Sequence, residues 1–171
     1  MDITVLGAVL RFIVDNASNS YLEFDTSRSY EATGGEAITG GVTLQGVKVK
    51  NVITDESQWF GFVGAGIGLG GGLPAGGSMS TDEFPSFGSR ILSGAWSPLW
   101  VDFDDLVGNG HIFTVGANVI GGASVSIICF GEPWGEPLIA RAHMVMEGVT
   151  VGGVGAGAMC YKGYWYKTDD E

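Results

Sequence analysis

Basic residues are scarce in this chain. Eight lysines and arginines stand against nineteen aspartates and glutamates in 171 residues, a formal net charge of −11. A phosphate backbone or an anionic membrane repels such a surface at long range, so no nucleic-acid partner is expected. Cysteine is nearly absent. Cys129 and Cys160 cannot make a disulfide framework. Both lie in apolar, strand-like runs (SIICF and GAMCY), where a thiol serves as a small hydrophobe. A cross-strand disulfide between them stays open at this stage. No apolar run approaches the roughly 18 residues of a membrane-spanning helix, so no spanning segment is expected. The first twenty residues, MDITVLGAVLRFIVDNASNS, lack a basic leader and carry Arg11 within the apolar part, a poor secretory signal.

Glycine, by contrast, is abundant, 30 of 171 residues, without the three-residue period of collagen. It falls at every second position in two runs. Gly64, Gly66, Gly68 and Gly70 alternate with Ala65, Ile67 and Leu69, while Gly153, Gly155 and Gly157 alternate with Val154, Ala156 and Ala158. Side chains of a strand alternate between faces, so each run has one apolar face and one of bare backbone. A row of glycines implies a close backbone approach, a bend, or cover by a large neighbour.

Hydrophobic residues make up 45% of the chain and charged residues 16%, which suits a single globular domain over residues 1–171. Residues 3–14 read as the first arm of a hairpin with Tyr21–Phe24. Residues 26–36 (TSRSYEATGGE) have the composition of a loop. From Ala37 the pattern alternates, and its apolar phase changes at Gly46, the sign of a β-bulge. Asp55–Ser57 reads as a turn and Trp59–Leu69 as the return strand. Residues 70–89 read as a long Gly/Pro/Ser loop with Phe84 and Phe87 as anchors. Strand-like runs follow at Arg90–Leu92 and Leu99–Phe103, then a turn at Val107–His111. Gly121-Gly122 and Glu147-Gly148 each mark a hairpin. Eight to ten short strands with this punctuation predict a sandwich or barrel.

Few residues offer chemistry. Asp102, Asp104 and Asp105 could bind a hard cation or act as paired acids, but the further ligands of a calcium loop are missing. His111 and His143 are the two histidines, and nothing fixes their spacing to a metal site. There is no G-x-S-x-G elbow. The glycine run at 64–72 lacks the helix and distal acid of a dinucleotide site. Trp59, Trp96, Trp100, Trp134 and Trp165 lie in or beside strands, where aromatic rings can cover glycines across a sheet or line a ligand surface.

Three stretches, GFVGAGIGLGGGLPAGGSMSTDEF (61–84), FTVGANVIGGASVSIICFG (113–131) and LIARAHMVMEGVTVGGVGAGAM (138–159), resemble the virulence-associated proteins of actinobacterial intracellular pathogens. The shared pattern is a Gly-rich strand leading into an acidic loop, an F-x-V-x-A strand, a V-x-I-x-x-F strand and a closing Gly-rich hairpin. The resemblance implies a compact antiparallel β-barrel of about eight strands with no catalytic site and no cofactor. It also implies a secreted effector that disturbs host endolysosomal compartments. The chain departs from that pattern in its poor leader and in Cys129 and Cys160.

The expectation is thus an all-β, single antiparallel barrel with Gly-rich strands. Its function is a non-enzymatic effector or interaction module, secreted by resemblance and otherwise cytoplasmic, with no catalytic residue, metal or cofactor. The expected contact surface is a smooth, Gly-rich face on a protein or lipid partner, formed by Gly64, Gly66, Gly68, Gly153, Gly155 and Gly157 with Trp59, Phe84 and Phe87. The rival is a lipocalin-like carrier holding one small apolar ligand inside the barrel.

Overall fold

The computed structural model describes residues 8, 18–34, 38–71, 76–80, 90–93, 101–119, 122–150 and 154–169. Among the described residues nine strands form one antiparallel sheet: β1 (Ser18–Gly34), β2 (Ile38–Asn51), β3 (Ser57–Gly71), β4 (Gly76–Ser80), β5 (Arg90–Ser93), β6 (Gly108–Val119), β7 (Gly122–Phe130), β8 (Ala142–Thr150) and β9 (Val154–Thr168). Their spatial order is β2-β3-β9-β6-β7-β8-β5-β1-β4, with β1 also paired to β2. The sheet therefore curls round towards itself. The β5–β8 seam has only two register pairs, Leu92↔His143 and Ser93↔Ala142. The expected regular, closed barrel of about eight strands is corrected to this curled sheet with a thin seam.

Several local expectations change. Residues 26–34 are strand, because their backbone is laddered to β2 from Thr26↔Lys48 to Gly34↔Gly40 and to β4 at Ser29–Thr33. Two sets of backbone partners outweigh weak strand propensity. Gly76–Ser80, read as loop, is β4 for the same reason. Glu147-Gly148 is not a turn: both residues pair with β7, as Val125↔Glu147 and Ser124↔Gly148. β8 and β9 are not neighbours in the sheet. Of the expected strand Leu99–Phe103, Val101 and Asp102 lie in no strand and Phe103 opens a 3-10 turn over Phe103–Leu106, while β6 begins at Gly108, before the expected position. The β6–β7 hairpin is present, with Ala117↔Ala123 its last pair. Of the expected strand at 3–14 only Ala8 is described, and it is helical; the anchors Phe84 and Phe87 lie outside the described residues.

The bulge is also elsewhere. The β2–β3 ladder runs unbroken from Ile38↔Leu69 to Lys50↔Ser57, and the register slips instead on β1 between Phe24 and Thr26. The phase change at Gly46 has a different cause. Odd-numbered residues of β2 face inward on both sides of it: Thr43, Val47 and Val49 are buried. What changes is the chemistry placed on each face.

The core fills one end of the curl. Leu22, Val47, Val49, Phe60, Phe62, Ile91, Ile112, Ile128, Phe130, Met144, Tyr161 and Trp165 are buried together. Trp165 is central, with ring centroids 4.8 Å from Phe62 and 4.5 Å from Phe130, and its Nε1 donates to the Cys129 carbonyl at 3.1 Å. Aromatic rings cover the glycines. A Cβ on Gly61 would meet the Tyr166 ring at 2.5 Å, one on Gly64 the Phe62 ring at 2.5 Å, and one on Gly110 the Trp165 indole. Each glycine makes room for a ring that a side chain would exclude.

Candidate functional site

The glycine ladder of β3 faces inward. Gly64 and Gly68 are buried and Gly66 is half-buried, on the same face as Phe60 and Phe62. For Gly64, Gly66 and Gly68 this corrects the expectation of a smooth, glycine-lined contact surface. Gly157 is half-buried, and no exposure is described for Gly153 or Gly155. Trp59, one residue before buried Phe60, points to the outer face and is half-buried.

What faces outward is the complementary set. Ile38, Val42 and Leu44 on β2, Val63, Ile67 and Leu69 on β3 and Val115 on β6 are exposed, with Ile38 at 70% and Ile67 at 69%. The register joins them across strands as Ile38↔Leu69, Val42↔Ala65 and Leu44↔Val63, then Ile67↔Cys160 and Leu69↔Ala158 onto β9, and Val115↔Ala158 onto β6. Four neighbouring strands thus carry one apolar outer band. Inside the same part of the sheet lie Gly64, Gly66, Gly68, buried Thr43 and the Thr114–Ser126 hydroxyl pair, 2.8 Å apart. The Phe62 and Tyr161 rings and the Met159 side chain fill the space over these glycines, so the wall is apolar inside and also carries aliphatic residues on its outer face. The Val63 end of the band carries Lys48, Trp59, Tyr166 and Tyr164, and exposed Lys162 lies within the band opposite Ala65.

A second cluster lies on the outer face of β6, β7 and β8, where the register sets His111↔Cys129↔His143 in one row. All three are buried. The segment after β7 covers them: Gly131, at φ 57°, sits against the Asp105 carbonyl and turns the chain so that Glu132 comes over β6. His111 Nδ1 lies 2.7 Å from Glu132 Oε2. His143 Nε2 donates to the Pro137 carbonyl at 3.1 Å, which fixes the proton on Nε2 and leaves buried Nδ1 without a partner. Burial holds the His143 pKa below the usual imidazole range. Burial first, then the neighbouring Glu132 charge and Cys160, pushes the Cys129 thiol well above its ordinary range. A protonated, enclosed thiol is a poor nucleophile. Glu132 was not singled out by the sequence, since GEPWGEP reads only as a loop.

The aspartates have structural partners. Asp102 Oδ1 accepts from the Phe103 amide at 2.8 Å and Asp105 Oδ2 from the Asp102 amide at 3.0 Å, a reciprocal cap on the 3-10 turn. Asp105 Oδ1 also takes Arg141 Nη1 at 2.6 Å, and Asp104 takes Lys167. Among the described residues no three His, Cys, Asp or Glu side chains are placed to hold a metal ion. Cys129 and Cys160 are free thiols on β7 and β9, with β6 between them. Among the described residues no helix is long and apolar enough to cross a membrane, which leaves strands unaddressed. Comparison with known proteins finds no matching family model, no matching curated protein and no matching solved structure.

Proposed function

We propose that the protein is a non-enzymatic interaction module whose working surface is the apolar outer band of β2, β3, β9 and β6. The observation that carries this reading is the exposure of Ile38, Val42, Leu44, Val63, Ile67 and Leu69 on two paired strands. Isolated apolar residues on a surface are ordinary, whereas a contiguous patch marks a contact site. In this reading β1, paired with β2 on one side and with β4 and β5 on the other, braces the curled sheet that carries the band. The resemblance to virulence-associated proteins adds the role of a secreted effector. The carrier reading is less well supported, because Trp165, Tyr161, Phe60, Phe62 and Phe130 fill the interior of the core end.

The test is binding of an environment-sensitive apolar dye to the folded protein at pH 7. Leu44→Asp and Ile67→Asp should each remove most of the signal while circular dichroism and the thermal midpoint stay unchanged. Dye binding that survives both substitutions would place the apolar contact surface elsewhere and count against the proposal.

A further inference from the structure

We infer that the occupant of the outer band is a lipid bilayer of zwitterionic headgroups, entered by the Ile38–Leu69 end of the wall to the depth of one leaflet. This rests on the band being the working surface and adds what it contacts.

Three features of the molecule favour lipid over a second protein. First, the band has the strand pattern of a lipid-facing wall. Ile67 and Leu69 point out while Gly66 and Gly68 point in, and across the ladder Val42 and Leu44 point out while Thr43 points in. A water-soluble sheet exposes a polar outer face, whereas a wall in hydrocarbon exposes an aliphatic one, and here the outer face is aliphatic although Tyr161 and Met159 already fill the inside. Second, the border has the chemistry of a membrane interface. Tyr164 and Tyr166 are exposed on β9 and Trp59 faces out on β3, while Lys162, opposite Ala65, lies one outward-facing pair inside that border. Aromatic rings with polar tips settle at the headgroup level, and a lysine stem lies along apolar surface while its ammonium reaches phosphate. Third, the wall is convex, since the sheet curls towards itself. A rigid convex face meets a second copy along a narrow line. Fluid acyl chains conform to it and cover the whole band.

The dimensions fix the depth. Val63 to Leu69 is six residue steps at about 3.3 Å, roughly 20 Å along the strand. At the usual barrel tilt of about 40° this rises about 15 Å, half of the roughly 30 Å hydrocarbon core. The net charge of −11 selects the headgroup, because anionic lipid repels the remainder of the molecule.

The experiment is co-sedimentation of the full chain with phosphatidylcholine vesicles, and with vesicles that also contain phosphatidylglycerol. Wild-type protein should bind phosphatidylcholine, and less so as the anionic fraction rises at low salt. Leu44→Asp and Ile67→Asp, on different strands, should each weaken binding by about tenfold or more, as charge at hydrocarbon depth does. Ile53→Asp, in the exposed turn at the other end of β2, should bind as wild type. Quenching of wild-type tryptophan fluorescence by brominated phosphatidylcholine reads insertion without any variant. Absence of wild-type binding and quenching overturns the lipid assignment, as does binding that needs anionic lipid or that ignores Leu44→Asp and Ile67→Asp. If vesicles do not bind but sedimentation velocity shows a dimer that Ile67→Asp dissociates, the band remains a contact surface with a second copy as its occupant. If neither vesicle nor self-association responds, the working-surface reading falls as well.

Discussion

Gly66 on β3 and Tyr161 on β9 are register partners, and the tyrosine ring lies 2.7 Å from where a Gly66 Cβ would project. The Cys160 carbonyl also crowds that point. The glycine is thus the condition for seating a fully buried ring against the sheet. Gly66→Val should destabilise by about 1–3 kcal/mol through overpacking. Gly40, exposed and with nothing within 4 Å of its Cβ position, is the control, and Gly40→Ala should be neutral or mildly stabilising. Urea midpoints of the two variants check the contrast. Equal midpoints would show that the strand accommodates the added carbons.

His143 should make stability depend on pH. Burial lowers its folded pKa below the ordinary imidazole value of 6.5, so between the folded and unfolded values the unfolded chain binds the extra proton. Stability therefore rises with pH through this window, is fully present above about 6.5 and is lost as pH falls below it. His143→Gln should flatten this part of the profile relative to wild type in chemical denaturation between pH 7 and pH 5. A variant profile parallel to wild type would assign the slope to other groups.

The two thiols should react slowly and unequally. Burial raises both pKa values, and Cys129 is fully enclosed while Cys160 is half-buried. Thiolate is the reactive form. At pH 8 an aromatic disulfide reagent should label Cys160 first and reach Cys129 at the rate of unfolding. With β6 between the two strands, reduction should leave the intact mass unchanged. Stoichiometric labelling of Cys129 within the mixing time would contradict the enclosure.

Asp105 joins a turn to a loop by capping Asp102 and pairing with Arg141. Asp105→Ala should cost about 1–2 kcal/mol, since a cap and a charge-assisted bond are lost together. Arg141→Ala, at a half-exposed side chain, should cost under about 1 kcal/mol. Thermal unfolding of both variants measures the ratio. A larger loss for Arg141→Ala would make the ion pair, not the cap, the dominant contribution.

The strand class was legible from alternation alone, because side-chain period 2 is a local property of extended backbone. The alternation of Gly64–Gly70 was readable for the same reason, as was the β6–β7 hairpin from Gly121-Gly122, whereas the choice among backbone approach, bend and large neighbour was not: Gly64 and Gly66 meet rings and Gly68 meets Met159. Residues 26–34 and 76–80 were not, since their strand state comes from backbone partners distant in the chain. The Glu147-Gly148 pair imitated a turn that the β7 ladder straightens.

By itself the sequence determined that β3 has one glycine face and one aliphatic face, and that the chain is strongly acidic. Only the tertiary structure decided which face is inside. A two-faced strand can be buried on either side, and the choice fell to Tyr161, Trp165 and Phe62, whose rings occupy the glycine side. Once those rings are seated there, Val63, Ile67 and Leu69 must face out. The row of His111, Cys129 and His143 with Glu132 was likewise decided by register and by one turn at Gly131. Such contacts join strands that no local pattern relates, because pairing partners are chosen by the packing of the whole sheet.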